Sequence, residues 1–112
     1  MKTLNELRDE IHRNALEHGW WDEERTFGDI IALCHTELSE AMEAHRSGLG
    51  EFYLETDKRG NQKPEGIAVE LADCIIRILD YCGRYNVDIY RVIWEKHLYN
   101  LTREYRHGGK RL

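Results

Sequence analysis

The run Ile67–Cys82, I-A-V-E-L-A-D-C-I-I-R-I-L-D-Y-C, limits what this chain can fold into more than any other stretch. Its charged residues, Glu70, Asp73, Arg77 and Asp80, recur at i, i+3, i+7 and i+10, one narrow stripe of a helix whose other positions are apolar or small. A solvated helix has the opposite pattern. Two carboxylates one turn apart, ringed by Ala68, Val69, Leu71, Ala72, Cys74 and Ile75, must be neutralised, paired or metal-bound, because an isolated buried carboxylate costs several kcal/mol or more. A second arrangement of this kind lies in Ile30–Ala44, where Glu37 and Glu40 are again three apart among Leu33, Cys34, Leu38, Ala41 and Met42.

Helices are expected around both segments. The first spans Leu4–Glu17, with Thr3 and Glu6 forming a capping box and Leu4, Leu7, Ile11 and Ala15 a single apolar stripe. Gly19 ends it, and Trp20-Trp21-Asp22-Glu23-Glu24-Arg25 connects to a second helix that starts near Thr26, with Asp29 completing its capping box, and runs to about Arg46. The two tryptophans either plug the end of the bundle or wall a pocket in which one of them stacks on a base. Residues of about 48–64 read as an irregular loop, with Asp57–Lys63 as an exposed turn. Pro64 is expected to lead into the third helix, which ends after Arg84 near Gly83 and Asn86. The fourth runs from Asp88 to about Tyr105 and is followed by a Gly-rich basic tail, residues 107–112. No strand-like alternation of useful length is present.

These elements predict one all-α domain over residues 1–112, an antiparallel four-helix bundle-like subunit. The third helix is apolar on too many sides for the edge of a small bundle, so the subunit is expected to assemble into an oligomer, a dimer by default, with a tetramer as the other option. The net charge of −5 does not favour nucleic acid or an acidic membrane as partner. Cys34, Cys74 and Cys82 form no C-x-x-C pair and lie in apolar surroundings, which fits buried thiols in a reducing compartment. With no signal peptide and no apolar run of transmembrane length, the expected location is cytoplasmic.

The chemistry follows from Glu37, Glu40, Glu70 and Asp73. Each pair shares one face of its helix, and facing helices in a bundle approach to about 8–10 Å between axes. Carboxylates that close repel, and a hard divalent cation relieves the repulsion; an all-oxygen set points to magnesium or manganese. Lys96, Asn100, Arg103 and His107, at i, i+4, i+7 and i+11, share a face if the fourth helix stays intact. That face is either an ordinary solvated one or, with Lys110 from the tail, a surface for the phosphates of a nucleotide. Arg77 is most simply a salt-bridge partner of Asp73 or Asp80. An oxygen-activating bundle of the ferritin-like kind would need two E-x-x-H elements, and only Glu104 with His107 is available.

Four blocks carry a resemblance that runs almost end to end: G-W-W-D-E-E-R-T-F-G at Gly19–Gly28, H-T-E-L-S-E-A at His35–Ala41, E-L-A-D at Glu70–Asp73 and K-H-L-Y-N-L-T-R-E-Y-R-H-G-G-K at Lys96–Lys110. In this order they resemble the MazG-like family of all-alpha nucleoside triphosphate pyrophosphohydrolases, in particular its small single-domain bacterial and phage-type members. The resemblance implies magnesium-dependent cleavage between the α and β phosphates, giving a nucleoside monophosphate and pyrophosphate. It implies Glu37, Glu40, Glu70 and Asp73 as the catalytic, metal-holding residues and Lys96, Asn100 and Arg103 as phosphate contacts. The family pattern often opens with two adjacent glutamates; this chain has Thr36 in the first of those places, and the interval from Glu40 to Glu70 is long. A different class of protein, a nucleotide-binding or structural helical oligomer without turnover, is the alternative.

Overall fold

The computed structural model describes residues 1–112 and is mostly helical. In chain order the elements are α1 (Leu4–Glu17), α2 (Phe27–Arg46), β1 (Tyr53–Thr56), β2 (Gln62–Glu65), α3 (Ile67–Arg84), α4 (Ile89–Leu101) and a final turn, α5 (Arg106–Gly109). Both expected capping boxes form: Thr3 with Glu6 opens α1, and Thr26 with Asp29 opens α2. In each, the threonine hydroxyl accepts an orphan N–H while the carboxylate returns to the backbone of the cap. Asp88 caps α4 by accepting from the Arg91 N–H at 3.1 Å, and Asn5 Nδ2 donates to the same Asp88 oxygen at 2.8 Å.

The packed unit is α1, α2 and α3, with α3 between the other two. Its interior is made of small side chains: Ala15, Ala41, Ala44, Cys34, Cys74 and Cys82, with Ile30 and Leu79 as the larger members. Small residues let the helix backbones come close. At Gly83 an added Cβ would meet the Cβ of His12 at 2.6 Å, so α1 and α3 approach closely here. The buried face of α1 follows the expected stripe at Ala15, with Leu4 and Ile11 half-buried, but it takes in Arg8 in place of Leu7. Arg8 and Ala15 are buried while Leu7 is 41% exposed, because the Arg8 guanidinium reaches across to donate to the Val87 carbonyl at 2.6 Å.

Three expectations are corrected. The segment read as an irregular loop contains an antiparallel β-hairpin, with Tyr53 opposite Glu65 and Thr56 opposite Gln62. Y-L-E-T and Q-K-P-E do not alternate, which is why the strands leave no sequence signal; what holds them is the turn. There the Asp57 carboxylate accepts from the N–H groups of Arg59 and Asn61, both at 2.9 Å. Pro64 belongs to β2, opposite Leu54, and α3 is entered at Gly66 instead. Finally, the fourth helix does not complete a bundle. It packs against α1, buries no residue and stops at Leu101, with Thr102 as its C-cap, short of the expected Tyr105.

The entry to α3 fixes the position of Glu70. Gly66, at φ +125°, has no side chain to cap the helix, and the orphan donors are taken up by the preceding segment: Ile67 N–H donates to the Gly50 carbonyl at 3.0 Å and Ala68 N–H to the Glu51 carbonyl at 2.9 Å. A Cβ at Gly66 would come within 2.4 Å of that Glu51 carbonyl oxygen. Gly66→Ala is therefore expected to destabilise the protein by about 2 kcal/mol or more, through an unfavourable φ together with backbone overlap. A urea titration compared with wild type measures it, and an unchanged midpoint would contradict this account of the hairpin junction.

Candidate functional site

The two acidic segments face each other across the α2–α3 contact. One carboxylate oxygen each from Glu37, Glu70 and Asp73 lies within 4.8 Å of the others. Glu37, on α2, is buried at 6% exposure and is held by Arg77, whose Nε donates to its Oε1 at 2.8 Å. Arg77 thus pairs across the helix interface with Glu37 and not with Asp73 or Asp80 on its own helix. Glu40 is exposed and is not one of these three, but its charge bears on Glu70.

The electrostatics are those of an overcrowded acidic site. Burial, then a shared hydrogen bond and charge repulsion from Glu40, then the charges of Asp73 and Glu37 push the Glu70 carboxyl up to about 7. Burial also raises Asp73, with Glu37 adding to the effect and Arg77 opposing it. The cation in direct contact is Arg77, on Glu37, beside a group of three carboxylates. The donors are all carboxylate oxygens on two rigid helices, and their mutual repulsion is what a hard divalent cation removes, so the set fits magnesium or manganese.

Glu37, Asp73 and Arg77 border a cavity of about 630 Å³ that opens between α1, α2 and α3. Its walls continue along α3 through Ile76 and Asp80 to Tyr81, and the connector between α1 and α2 contributes Trp20, Trp21 and Arg25. The two readings of the tryptophans meet here. Trp21 is packed at the end of α1 and α3, where its indole N–H reaches both Asp80 oxygens at 3.0 and 3.1 Å, and it also lines the cavity. Trp20 is 54% exposed at the rim, with the Arg25 guanidinium 5.3 Å from its ring centroid. The size and half-apolar lining are those of a site for a small organic ligand.

Sequence reasoning did not place Asp80, Arg25 or Tyr81 at this site. For Asp80 the signal was present, as the last member of the charged stripe; for Arg25 nothing in the local pattern distinguishes it from a solvated loop residue.

The expected phosphate face lies elsewhere in the subunit. Lys96 lines a shallow groove on α4 with Asp88, Arg91 and Tyr99, and none of Lys96, Asn100, Arg103 and Lys110 borders the cavity beside the carboxylates. Lys96 and Arg103 share one aromatic neighbour, their charged groups standing 5.0 and 5.7 Å from the Tyr99 ring centroid. His107 has left this face: beyond Leu101 the chain turns, and Arg106 and His107 both adopt positive φ. Lys110 follows in extended conformation.

Compared with protein-family models, curated proteins and solved structures, the chain finds no significant match. No helix is long and apolar enough to cross a membrane.

Proposed function

We propose that this protein is a divalent-metal-dependent nucleoside triphosphate pyrophosphohydrolase of the MazG-like type, releasing pyrophosphate and a nucleoside monophosphate. The observation that carries the reading is the convergence of Glu37, Glu70 and Asp73, two of which, Glu37 and Asp73, line a cavity that Trp20, Trp21 and Tyr81 also line. A magnesium or manganese ion held by these carboxylates, with Glu40 beside them, supplies charge neutralisation at phosphate oxygens and a more acidic bound water. The chain's own contribution is placement. Arg77 holds Glu37 in place, the small residues of the α2–α3 contact keep the acidic pairs close, and Trp20 and Trp21 offer surface to a base.

The reading includes a homo-oligomer. Large apolar side chains are exposed along α3 (Leu71, Ile75, Ile78), α2 (Ile31, Leu38, Met42) and α4 (Val92, Ile93, Leu98), far more than a small soluble subunit leaves uncovered. A second copy covers them, and it also gives Lys96, Asn100 and Arg103 a role: brought over a neighbour's cavity, α4 meets the phosphates that its own subunit keeps out of reach.

The deciding experiment incubates the purified protein with several ribo- and deoxyribonucleoside triphosphates and magnesium, and separates monophosphate plus pyrophosphate from diphosphate plus phosphate. Equimolar monophosphate and pyrophosphate, abolished by chelation, is the expected result. Release of orthophosphate and diphosphate would reject the assigned bond, and binding without any product would favour a nucleotide-binding oligomer without turnover.

A further inference from the structure

The far end of the charged stripe is built with more care than a cavity wall requires. Asp80 follows Asp73 by two turns of α3, and its side chain is only 20% exposed. Its carboxylate is shared between two partners from different elements. The Trp21 indole N–H is forked between Oδ1 and Oδ2 at 3.0 and 3.1 Å, and His12 Nδ1, from α1, stands 2.7 Å from Oδ1. The His12 ring meets the indole edge-on, with centroids 5.7 Å apart and planes at 76°. The Arg84 guanidinium lies 4.9 Å from the indole centroid. Trp21 lines the cavity, and Arg84 does not.

Packing alone would bury an indole. Here the N–H is held by a carboxylate and the ring is flanked by an imidazole and a guanidinium, which fixes it in one orientation, and the same ring lines the cavity. Stacking on an aromatic ring depends on that orientation, and every nucleobase presents a face for it. From Asp73 to Asp80 the helix rises about 10 Å, a span that a nucleoside monophosphate bridges, with phosphate at one end and base at the other.

We propose that Asp80 is a positioning residue that, through its hold on the Trp21 N–H, sets the base-receiving wall of the cavity and so governs discrimination among nucleobases, without taking part at the phosphate end. The inference rests on the nucleotide reading above. It separates two functions along one helix: Asp73 and Glu70 for the phosphates, Asp80 for the base. Trp21 is the group that touches the base, and Asp80 acts through it.

The test measures kcat and KM for four triphosphates differing in base, and the affinity for the corresponding monophosphates by calorimetry without metal, using wild type, Asp80→Asn, Trp21→Phe and the double variant. Trp21→Phe keeps an aromatic face but has no N–H for Asp80 to hold. Both single variants are expected to change the ratio of kcat/KM between bases by about tenfold, through KM, with kcat at saturation within about threefold of wild type. The double variant should be no more than about twofold worse than the worse single one, because both substitutions break the same contact. Monophosphate affinities should shift in the same order as the KM values. If wild type hydrolyses triphosphates and the single variants leave base ratios and monophosphate affinities unchanged, the role of Asp80 is overturned while the nucleotide reading stands. A uniform fall in kcat for every base would also overturn it. Should wild type neither cleave a triphosphate nor bind a monophosphate, both fail together. If Asp80→Asn does not fold, Trp21→Phe decides alone, and unaltered base ratios in that variant reject the proposal.

Discussion

Asp73→Asn is expected to lower pyrophosphate release by more than about a hundredfold while making the metal-free protein more stable. Groups that merely orient metal ligands cost about 10–100-fold when removed, so loss of a carboxylate from the cluster itself should exceed that range. The gain in stability has a separate cause. Asp73 adds its charge to those of Glu37 and Glu40 around Glu70, and an amide of the same shape removes that repulsion. A relief on the order of 1 kcal/mol corresponds to a rise in Tm of about 4–8 °C in a domain near 100 residues. The pH dependence gives an independent check. Glu70 has a folded-state value of about 7 against an ordinary 4.5, so the folded protein binds more protons than the unfolded chain between these values. Stability without metal therefore falls as pH rises from about 4.5 to 7 and levels off above it. Melting curves at pH 5.5 and 8 should show the lower Tm at pH 8 in wild type, a smaller difference in Asp73→Asn, and a smaller one again in wild type with magnesium. A variant that loses activity but melts at the wild-type temperature, with the same pH slope, would mean that Asp73 is outside the crowded group.

The acidic centre was legible in the sequence because burial imposes a rule on carboxylates that a one-dimensional pattern can reveal. Glu37, Glu40, Glu70 and Asp73 were singled out by their neighbours, and three of them, Glu37, Glu70 and Asp73, come together in space, with Glu40 exposed. Helix limits were legible where side chains encode them, as at Thr3, Thr26 and Asp88. The hairpin was not, because its order comes from Asp57 binding two backbone N–H groups and from carbonyls of Gly50 and Glu51 reaching the first turn of α3. Both depend on chain path more than on residue pattern. The partner of Arg77 was not legible for a related reason: spacing offered Asp73 and Asp80 on its own helix, whereas the contact made is with Glu37 on another. The fourth helix carries an apolar surface that the subunit does not bury, so its periodicity identified a helix and left its neighbour open.

Ile75→Asp is the second substitution from which a large effect is expected, on assembly instead of chemistry. Leu71, Ile75 and Ile78 are exposed on one side of α3, at 44, 55 and 42%, and fall at i, i+4 and i+7. Ile31, Leu38 and Met42 are exposed on α2 on the side away from Glu40, and none of these six residues lines the acidic cavity. Ile76, the other isoleucine at this level, lines the cavity and is the wrong probe. No side chain in the subunit is completely buried, and the interior is largely alanine and cysteine. Such a core leaves little reserve of stability for a monomer of this size. In a symmetric dimer the aspartate enters the interface twice, and each unpaired carboxylate taken from water costs about 3 kcal/mol or more. The dissociation constant should therefore rise more than about a thousandfold. Sedimentation at micromolar concentration is expected to find wild type as a dimer or larger, and Ile75→Asp as a monomer with reduced helix content and no pyrophosphohydrolase activity. The loss of activity should accompany dissociation if, as proposed, Lys96, Asn100 and Arg103 serve a neighbour's cavity, since they do not line their own. A wild-type monomer that is folded and fully active at that concentration would overturn both the interface and the shared site; an Ile75→Asp protein that remains dimeric would place the interface on another face, with α4 the first to test by Leu98→Asp.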